Sequence, residues 1–195
     1  MIKVSVANYL IVGSGLSAFI ASIKKPRALI LAKKNSNKNT DLLKAKNFYE
    51  FHQLGGNTNI WGGYVNLKIL RKLKSKNKKF RIFMERNKFF KIVHLSRNKK
   101  FSQIGYMKSL KDNKILRINS NFFNKVVNFE VLKMEIKKQF ILIKSKEKNY
   151  KSKKVNLCAG NLGLIKILYN SNLLKKEDIV SFEDGSVSYG LNFFL

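Results

Sequence analysis

The sequence is short of acids, arginine, cysteine, proline and histidine, and each shortage excludes something. Its 195 residues hold 11 Asp and Glu against 40 Lys and Arg, a formal net charge of +29. No two carboxylates are spaced as a general acid–base pair, and no metal-ligand spacing occurs. Only six of the 40 basic residues are arginine. Arginine supplies the bidentate contacts to phosphate and guanine. A nucleic acid or an anionic membrane is what the net charge alone would suggest. The excess, however, is lysine, accompanied by asparagine, isoleucine and phenylalanine, which is the bias of an AT-rich genome. Compositional bias is the plainer reading.

The one cysteine, Cys158, rules out a disulfide framework and points to a reducing, cytoplasmic setting. It reads as a small buried hydrophobe rather than a nucleophile. The two histidines, His52 and His94, stand in basic or aromatic surroundings, where a lone histidine is usually structural. No run of about 18 apolar residues exists to cross a membrane. The apolar start, Met1 to Val12, leads into Gly13-Ser14-Gly15 without a small-residue cleavage pattern, so it does not read as a signal peptide. With 45% hydrophobic residues, the chain is expected to be globular, one domain over 1–195 with a basic insertion at about 64–121.

Tyr9 to Val12 is a short apolar run ended by glycine, which reads as a buried parallel strand. Leu16 to Ile23 reads as a helix with small residues on one side, and Pro26 closes the connection. Ala28 to Leu31 reads as a second buried strand, completing a βαβ unit. Lys33 to Lys46 is expected to be loop, and aromatics from Asn47 to Leu54 lead into Gly55-Gly56. From Lys68 to Lys100, with Glu85 as its only acid, apolar residues interleave with lysines. That alternation predicts short amphipathic elements with a solvated basic face. Val126 to Ile136 and Phe140 to Ile143 are expected to be the two strands of a hairpin turning at Lys137-Lys138-Gln139, with a further turn at Glu147-Lys148-Asn149. A last short strand, Val155 to Cys158, ends at Ala159-Gly160 and precedes a helix from Leu162 to Tyr169.

Three segments carry chemistry. Gly13-Ser14-Gly15-Leu16-Ser17-Ala18 fits G-x-G-x-x-A between a predicted strand and a predicted helix. Gly13 permits the tight turn, Gly15 lets backbone approach a pyrophosphate, and Ala18 lets the helix pack close to the sheet. The helix N-terminus then offers N–H groups to phosphate. An acid is expected at the end of the second strand to hold ribose hydroxyls, but Ala32, Lys33 and Lys34 stand there. Either the site is weakened or lost, or a lysine favours a 2′-phosphate. The next acid is Asp41. The second segment, Gly55 to Gly63, brackets Asn57, Thr58, Asn59 and Trp61 with four glycines. It reads equally as a backbone cradle for a flat or anionic ligand and as a glycine-rich turn with Trp61 in the core. The third, Leu157 to Ser171, places Ala159 and Gly160 at a strand's carboxyl end, beside a ligand position.

In this order the three segments resemble the glucose-methanol-choline type of FAD-dependent oxidoreductases. Members open with G-S-G-x-x-(A/G), carry G-G-x-x-x-x-W-G-G along FAD, and later have a strand ending A-A-G or C-A-G before a helix ending near L-L-x-S. The resemblance implies an α/β, Rossmann-like FAD-binding domain with a parallel sheet, a βαβ start, an inserted β-meander and a truncated substrate domain. It implies that Gly13, Ser14, Gly15 and Ala18 line the FAD pyrophosphate region. Gly55, Gly56, Asn57, Thr58 and Asn59 would run beside the pyrophosphate and flavin, Val126 or Val127 would sit near the adenine, and Ala159 and Gly160 would line the pocket.

The departures from the family are as informative. With Ala32 at the acid's place, FAD binding is expected to be weak or lost. Ile60 stands where some relatives link flavin through histidine, so attachment is expected to be non-covalent. Asp184-Gly185 replaces an Asp-His pair. No catalytic residue is assigned, because the family's catalytic histidine and substrate sheet lie towards the C-terminus and the sequence stops at Leu195. The expectation is an incomplete oxidoreductase related to enzymes acting on alcohol or sugar hydroxyls, with a second chain as a candidate partner supplying the substrate domain. The alternatives are a non-catalytic truncated remnant that has lost FAD, and a basic module binding nucleic acid or a membrane surface.

Overall fold

The computed structural model describes residues 3–33, 54–59, 63–94 and 104–175. The expected loop after Lys33, most of the aromatic stretch before Gly55, Asp41, His52, Ile60, Trp61 and Asp184-Gly185 lie outside the described residues. The chain forms two compact units. One contains the described residues of Met1–Asn59 and Ile118–Phe182, the other those of Ile60–Arg117.

The first unit begins with the expected βαβ unit: β1 (Lys3–Val12), α1 (Leu16–Lys24) and β2 (Leu29–Ala32). β1 starts as alternating polar and apolar residues and ends in an apolar run. Its first half is correspondingly open, with Val6 77% exposed, and Leu10, Ile11 and Val12 are buried. Along β1, burial is therefore concentrated at the carboxyl end. α1 buries Ala18 and Phe19, and Phe19 meets Phe122 edge-on at 5.0 Å between ring centres. Past the helix, the Ala28 N–H donates to the Lys25 carbonyl at 2.9 Å, turning the chain at Pro26 into β2.

The next three strands in the chain, β3 (Tyr64–Asn66), β4 (Phe90–His94) and β5 (Ile104–Ser109), belong to the second unit. The sheet of the first unit is completed by β6 (Val126–Asn128), β7 (Lys133–Ile136), β8 (Ile141–Lys144) and β9 (Lys148–Leu157), followed by α4 (Gly160–Asn170). Its order is β6-β2-β1-β9-β8-β7. The pairs β6–β2, β2–β1 and β1–β9 are parallel, and β9–β8 and β8–β7 are antiparallel. Among the four parallel strands, chain order gives 3-2-1-4, the order of a dinucleotide-binding sheet. The expected α/β architecture with a parallel sheet and a β-meander is present. Tyr9–Val12, Leu29–Leu31 and Val155–Leu157 are neighbours, as the three apolar runs implied.

Two sequence expectations need correction. Val126 to Ile136 is not one hairpin strand. Val126–Asn128 pairs with β2, while Lys133–Ile136 pairs with β8. The intervening Phe129 turns in to the core, its N–H bonding the Ala32 carbonyl at 3.0 Å. This run has no glycine or proline to mark the break, so its two partners were invisible in sequence. The last strand, likewise, is not confined to Val155–Cys158. It runs from Lys148, pairing with β1 along its length, and the turn before it is closed by Ser145 bonding Lys148.

The sheet cannot be flat. β6 and β7 form its opposite edges, yet only five residue steps separate Asn128 from Lys133. Five extended steps reach at most about 18 Å, whereas five strand spacings of about 4.8 Å span about 24 Å. The β9–β8–β7 meander must curl back over the parallel strands. The enclosed core holds Leu10, Val12, Leu31, Phe129, Met134, Ile143, Tyr150 and Ile167. α4 closes one end, with the Ser171 hydroxyl accepting from the Met134 N–H at 2.8 Å.

The second unit consists of β3 (Tyr64–Asn66), α2 (Leu67–Lys76), α3 (Lys78–Arg86), β4 (Phe90–His94) and β5 (Ile104–Ser109). Its strands form an antiparallel sheet in the order β3-β5-β4. The Asn66 side chain caps α2, and Asn77 both ends α2 and caps α3. The two helices carry their lysines and arginines mostly outward, as the alternation of charge and apolar residues implied.

The curl makes a prediction. Phe129 and Tyr150 stack edge-on at 5.1 Å across it. Phe129→Ala should cost about 3–5 kcal/mol in denaturant unfolding. A double-mutant cycle with Tyr150→Ala should give about 0.5–1.5 kcal/mol of coupling. A flat sheet would give none.

Candidate nucleotide site

The connection from β1 to β2 runs to one side of β1 and β9 lies on the other, so the switch point of the sheet falls between β1 and β9. Ligands of open α/β sheets bind in the crevice outside the carboxyl ends of the strands at such a point. Pairing continues to the last possible residue there. The Cys158 N–H donates to the Val12 carbonyl at 2.7 Å and the Gly13 N–H to the Leu31 carbonyl at 2.8 Å. The glycine turn is thereby held by both neighbouring strands.

Gly13 has φ +107°, and a Cβ built on it would lie 2.1 Å from the Cys158 carbonyl oxygen and 3.0 Å from the Ala159 nitrogen. Only glycine fits. The first and third motifs, about 145 residues apart in sequence, thus close on one another through bare backbone. Gly15 differs. It is the N-cap of α1 with φ −78°, a conformation open to any residue. A Cβ there would meet only the Gly55 carbonyl oxygen at 3.8 Å. As a glycine cap it supplies no side-chain hydrogen bond, and α1 has no acid in its first turn. The end of the helix macrodipole that attracts anions is left without a neutralising side chain.

The second motif joins them. The Gly55 N–H donates to the buried Ser14 hydroxyl at 3.3 Å. The 3-10 turn Gly56–Asn59 follows. The Thr58 hydroxyl donates to the Gly55 carbonyl at 2.7 Å and accepts from the Ile118 N–H at 3.2 Å. Ser14 and Thr58 are thus structural clasps for two loops. What they hold in place is the backbone of Gly13, Gly15, Gly55 and Gly56, of which Gly13, Gly55 and Gly56 have positive φ. Asn57 and Asn59 lie in the same turn. On the third motif Gly160, with φ +75°, starts α4 after Ala159. Val126 and Val127 pair with Ile30 and Leu31 on the far side of β2 from β1.

The structure therefore assembles Gly13, Ser14, Gly15, Gly55, Thr58 and Ala159 around one turn, with Ala18 buried beneath it. It also divides the second motif. Gly63 belongs to the second unit, where its carbonyl accepts from the Met107 N–H at 2.8 Å and a Cβ would lie 2.9 Å from the Ile115 side chain. For that glycine the packing explanation holds. His94 ends β4 in the second unit, and the described residues contain no group of three potential metal ligands. No helix among them is long and apolar enough to cross a membrane.

The place where a ribose-binding acid was sought is filled by the buried methyl of Ala32. The sequence reading passed over a nearby pair. Lys33, just past β2, makes an ion pair of 2.9 Å with Glu130, just past β6. The signal that could have found it is parallel pairing of Ala32 with Asn128, which no local pattern reveals.

No family model matches the chain, and no curated protein matches it. Among solved structures it is similar to the open form of NikD, described as an unusual amino acid oxidase essential for nikkomycin biosynthesis. That similarity has 11% identity and a TM-score of 0.44 over 84% of this chain and 53% of that one. A mutant of NikD, also in its open form, matches at 10% identity and a TM-score of 0.38 with the same coverage. The chain spans about half the length of those structures. Likenesses this loose add nothing to the site, whose character comes from strand order and turn geometry.

Two outcomes follow from the geometry. Gly13→Ala combines backbone strain with a clash against Cys158, about 2–6 kcal/mol together, so thermal unfolding should fall by roughly 5–20 °C. Gly15→Ala, with no clash or backbone strain to add, should cost only about 1 kcal/mol from the poorer N-cap. Burial pushes the Cys158 thiol above its ordinary value. The folded protein keeps the unreactive thiol form across neutral pH and up into the alkaline range where a free cysteine ionises. Iodoacetamide should label Cys158 slowly at pH 8 in the native protein and at the normal rate after denaturation.

Proposed function

We propose that the first unit is a non-covalent FAD-binding domain and that the chain is the cofactor half of a flavin-dependent oxidoreductase of the glucose-methanol-choline type. The observation that carries this is Gly15. Its backbone is ordinary and, among the described residues, only the Gly55 carbonyl comes near it, so none of them demands glycine there. At this N-cap serine, aspartate or asparagine would serve the helix a few tenths of a kcal/mol better than glycine. Close approach of a ligand's pyrophosphate explains it. Beside it stand the uncapped α1 terminus and the Gly55–Gly56 backbone, which suit an extended anionic ligand. The order of the three motifs, now joined around one turn, supports the finer family reading.

In this reading Gly13, Gly15 and the first turn of α1 hold the pyrophosphate, Gly55 and Gly56 border it, Val126 or Val127 border the adenine, and Ala159 and Gly160 leave room at the switch point. Bound FAD would accept hydride in the oxidation of an alcohol or sugar hydroxyl. The chain's own contribution is binding and orientation. The general base that would take the hydroxyl proton is assigned to no described residue.

The test is a flavin titration of the purified chain, followed by fluorescence and calorimetry. Wild type should bind one FAD and release it on acid precipitation, as expected with Ile60 at the linking position. Gly15→Leu should weaken binding at least about tenfold while unfolding within a few degrees of wild type. A wild type that takes up no FAD under these conditions would establish the remnant reading instead.

A further inference from the structure

We propose that Glu130, held by Lys33, supplies the ribose-binding carboxylate of this site from the end of β6, in place of the acid absent from the end of β2. The proposal rests on the nucleotide reading above and names the residues that recognise the adenosine end of the ligand.

A nucleotide whose pyrophosphate lies at the β1 turn extends its adenosine half over the end of β2, and the ribose is read there by an acid. Two hydrogen bonds fix what occupies that place. The Gly13 N–H donates to Leu31 O, so the turn abuts the end of β2, and the Phe129 N–H donates to Ala32 O, so the chain leaving β6 abuts it too. Glu130 is the next residue. The carboxylate thus stands one strand over and just beyond the position from which it is missing.

Elimination points the same way. In the described residues of the first unit the acids are Glu130, Glu135 and Glu147. Glu135 lies within β7 and is engaged by Lys144 and Lys137. Glu147 precedes β9, at the amino end of that strand. Glu130 alone among them stands at the carboxyl ends of the parallel strands.

The ion pair suits the task. The side chains of Lys33 and Glu130 are 27% and 43% exposed, within reach of a ligand. A carboxylate offers roughly four acceptor positions and lysine is a donor only, so the ion pair with Lys33 does not by itself exhaust the carboxylate. Lys33 also offsets the charge of a carboxylate near a pyrophosphate. An exposed pair of this kind contributes little to stability, so it can be altered without unfolding the protein.

The experiment is calorimetry on the full chain with ADP, 2′-deoxy-ADP and adenosine 2′,5′-bisphosphate. Wild type should prefer ADP to 2′-deoxy-ADP by about tenfold. Glu130→Gln should weaken ADP by about tenfold and abolish the preference. Lys33→Met should lose part of it, both variants melting like wild type. If ADP binds and Gly15→Leu abolishes it, but Glu130→Gln changes neither affinity nor preference, the nucleotide reading stands and this proposal falls. If the bisphosphate binds more tightly than ADP and Lys33→Met removes that gain, Lys33 reads a phosphate and the proposal is also overturned. A wild type that binds none of the three ligands overturns both.

Discussion

Everything in the first unit depends on a contact with no side chain in it, the approach of Gly13 to the carbonyl of Cys158. β1 has β2 on one side and β9 on the other, and pairing to both persists to the last residue of the strand. The turn out of β1 must then pass over the end of β9 with only backbone thickness available. That forces a positive φ and a missing Cβ at one position. It also brings α1 and α4 to start at the same edge of the sheet. Two helix N-termini beside a switch point make an electropositive crevice from backbone alone. The large lysine excess is not needed to explain it.

A second constraint is the curl. A short connection between the two sheet edges obliges the meander to fold back, and the ring of Phe129 fills the space this creates. The same connection sets the position of Glu130, because Phe129 is pinned to Ala32 on one side and packed on Tyr150 on the other. Core packing and a candidate ligand contact are consequently adjacent residues of one segment. Strain in the curl would be felt directly at the end of β2.

The local part of this was legible in sequence. A four-residue apolar run ended by glycine, a helix of small residues and a second apolar run identify β1, α1 and β2, because periodicity and punctuation are local signals. Partner choice is not local. Val126 to Ile136 read as one strand since nothing in its composition marks a break, yet its two halves pair at opposite edges of the sheet. Of the amino half of β9, the sequence predicts only a turn at Glu147-Lys148-Asn149. Its lysines suppress the apolar pattern, and pairing to β1 overrides them. At the site, the turn glycines were legible and the clasps were not. Ser14 and Thr58 read as ligand neighbours by resemblance, and nothing local signals that their hydroxyls also hold the Gly55 loop and Ile118 in place.

The glycines of the three motifs do not carry equal weight, and sequence alone cannot separate them. Gly13 and Gly63 are each compelled by an atom in the way, with or without a ligand. A chain that had lost its cofactor would still be destabilised by a side chain at either position. Their presence therefore says nothing about binding. Gly15 is compelled by none of the described residues. Serine, aspartate or asparagine there would cap α1 a few tenths of a kcal/mol better than glycine, at the cost of placing a side chain over the first turn. The residue that the fold needs least is thus the one that speaks for a ligand.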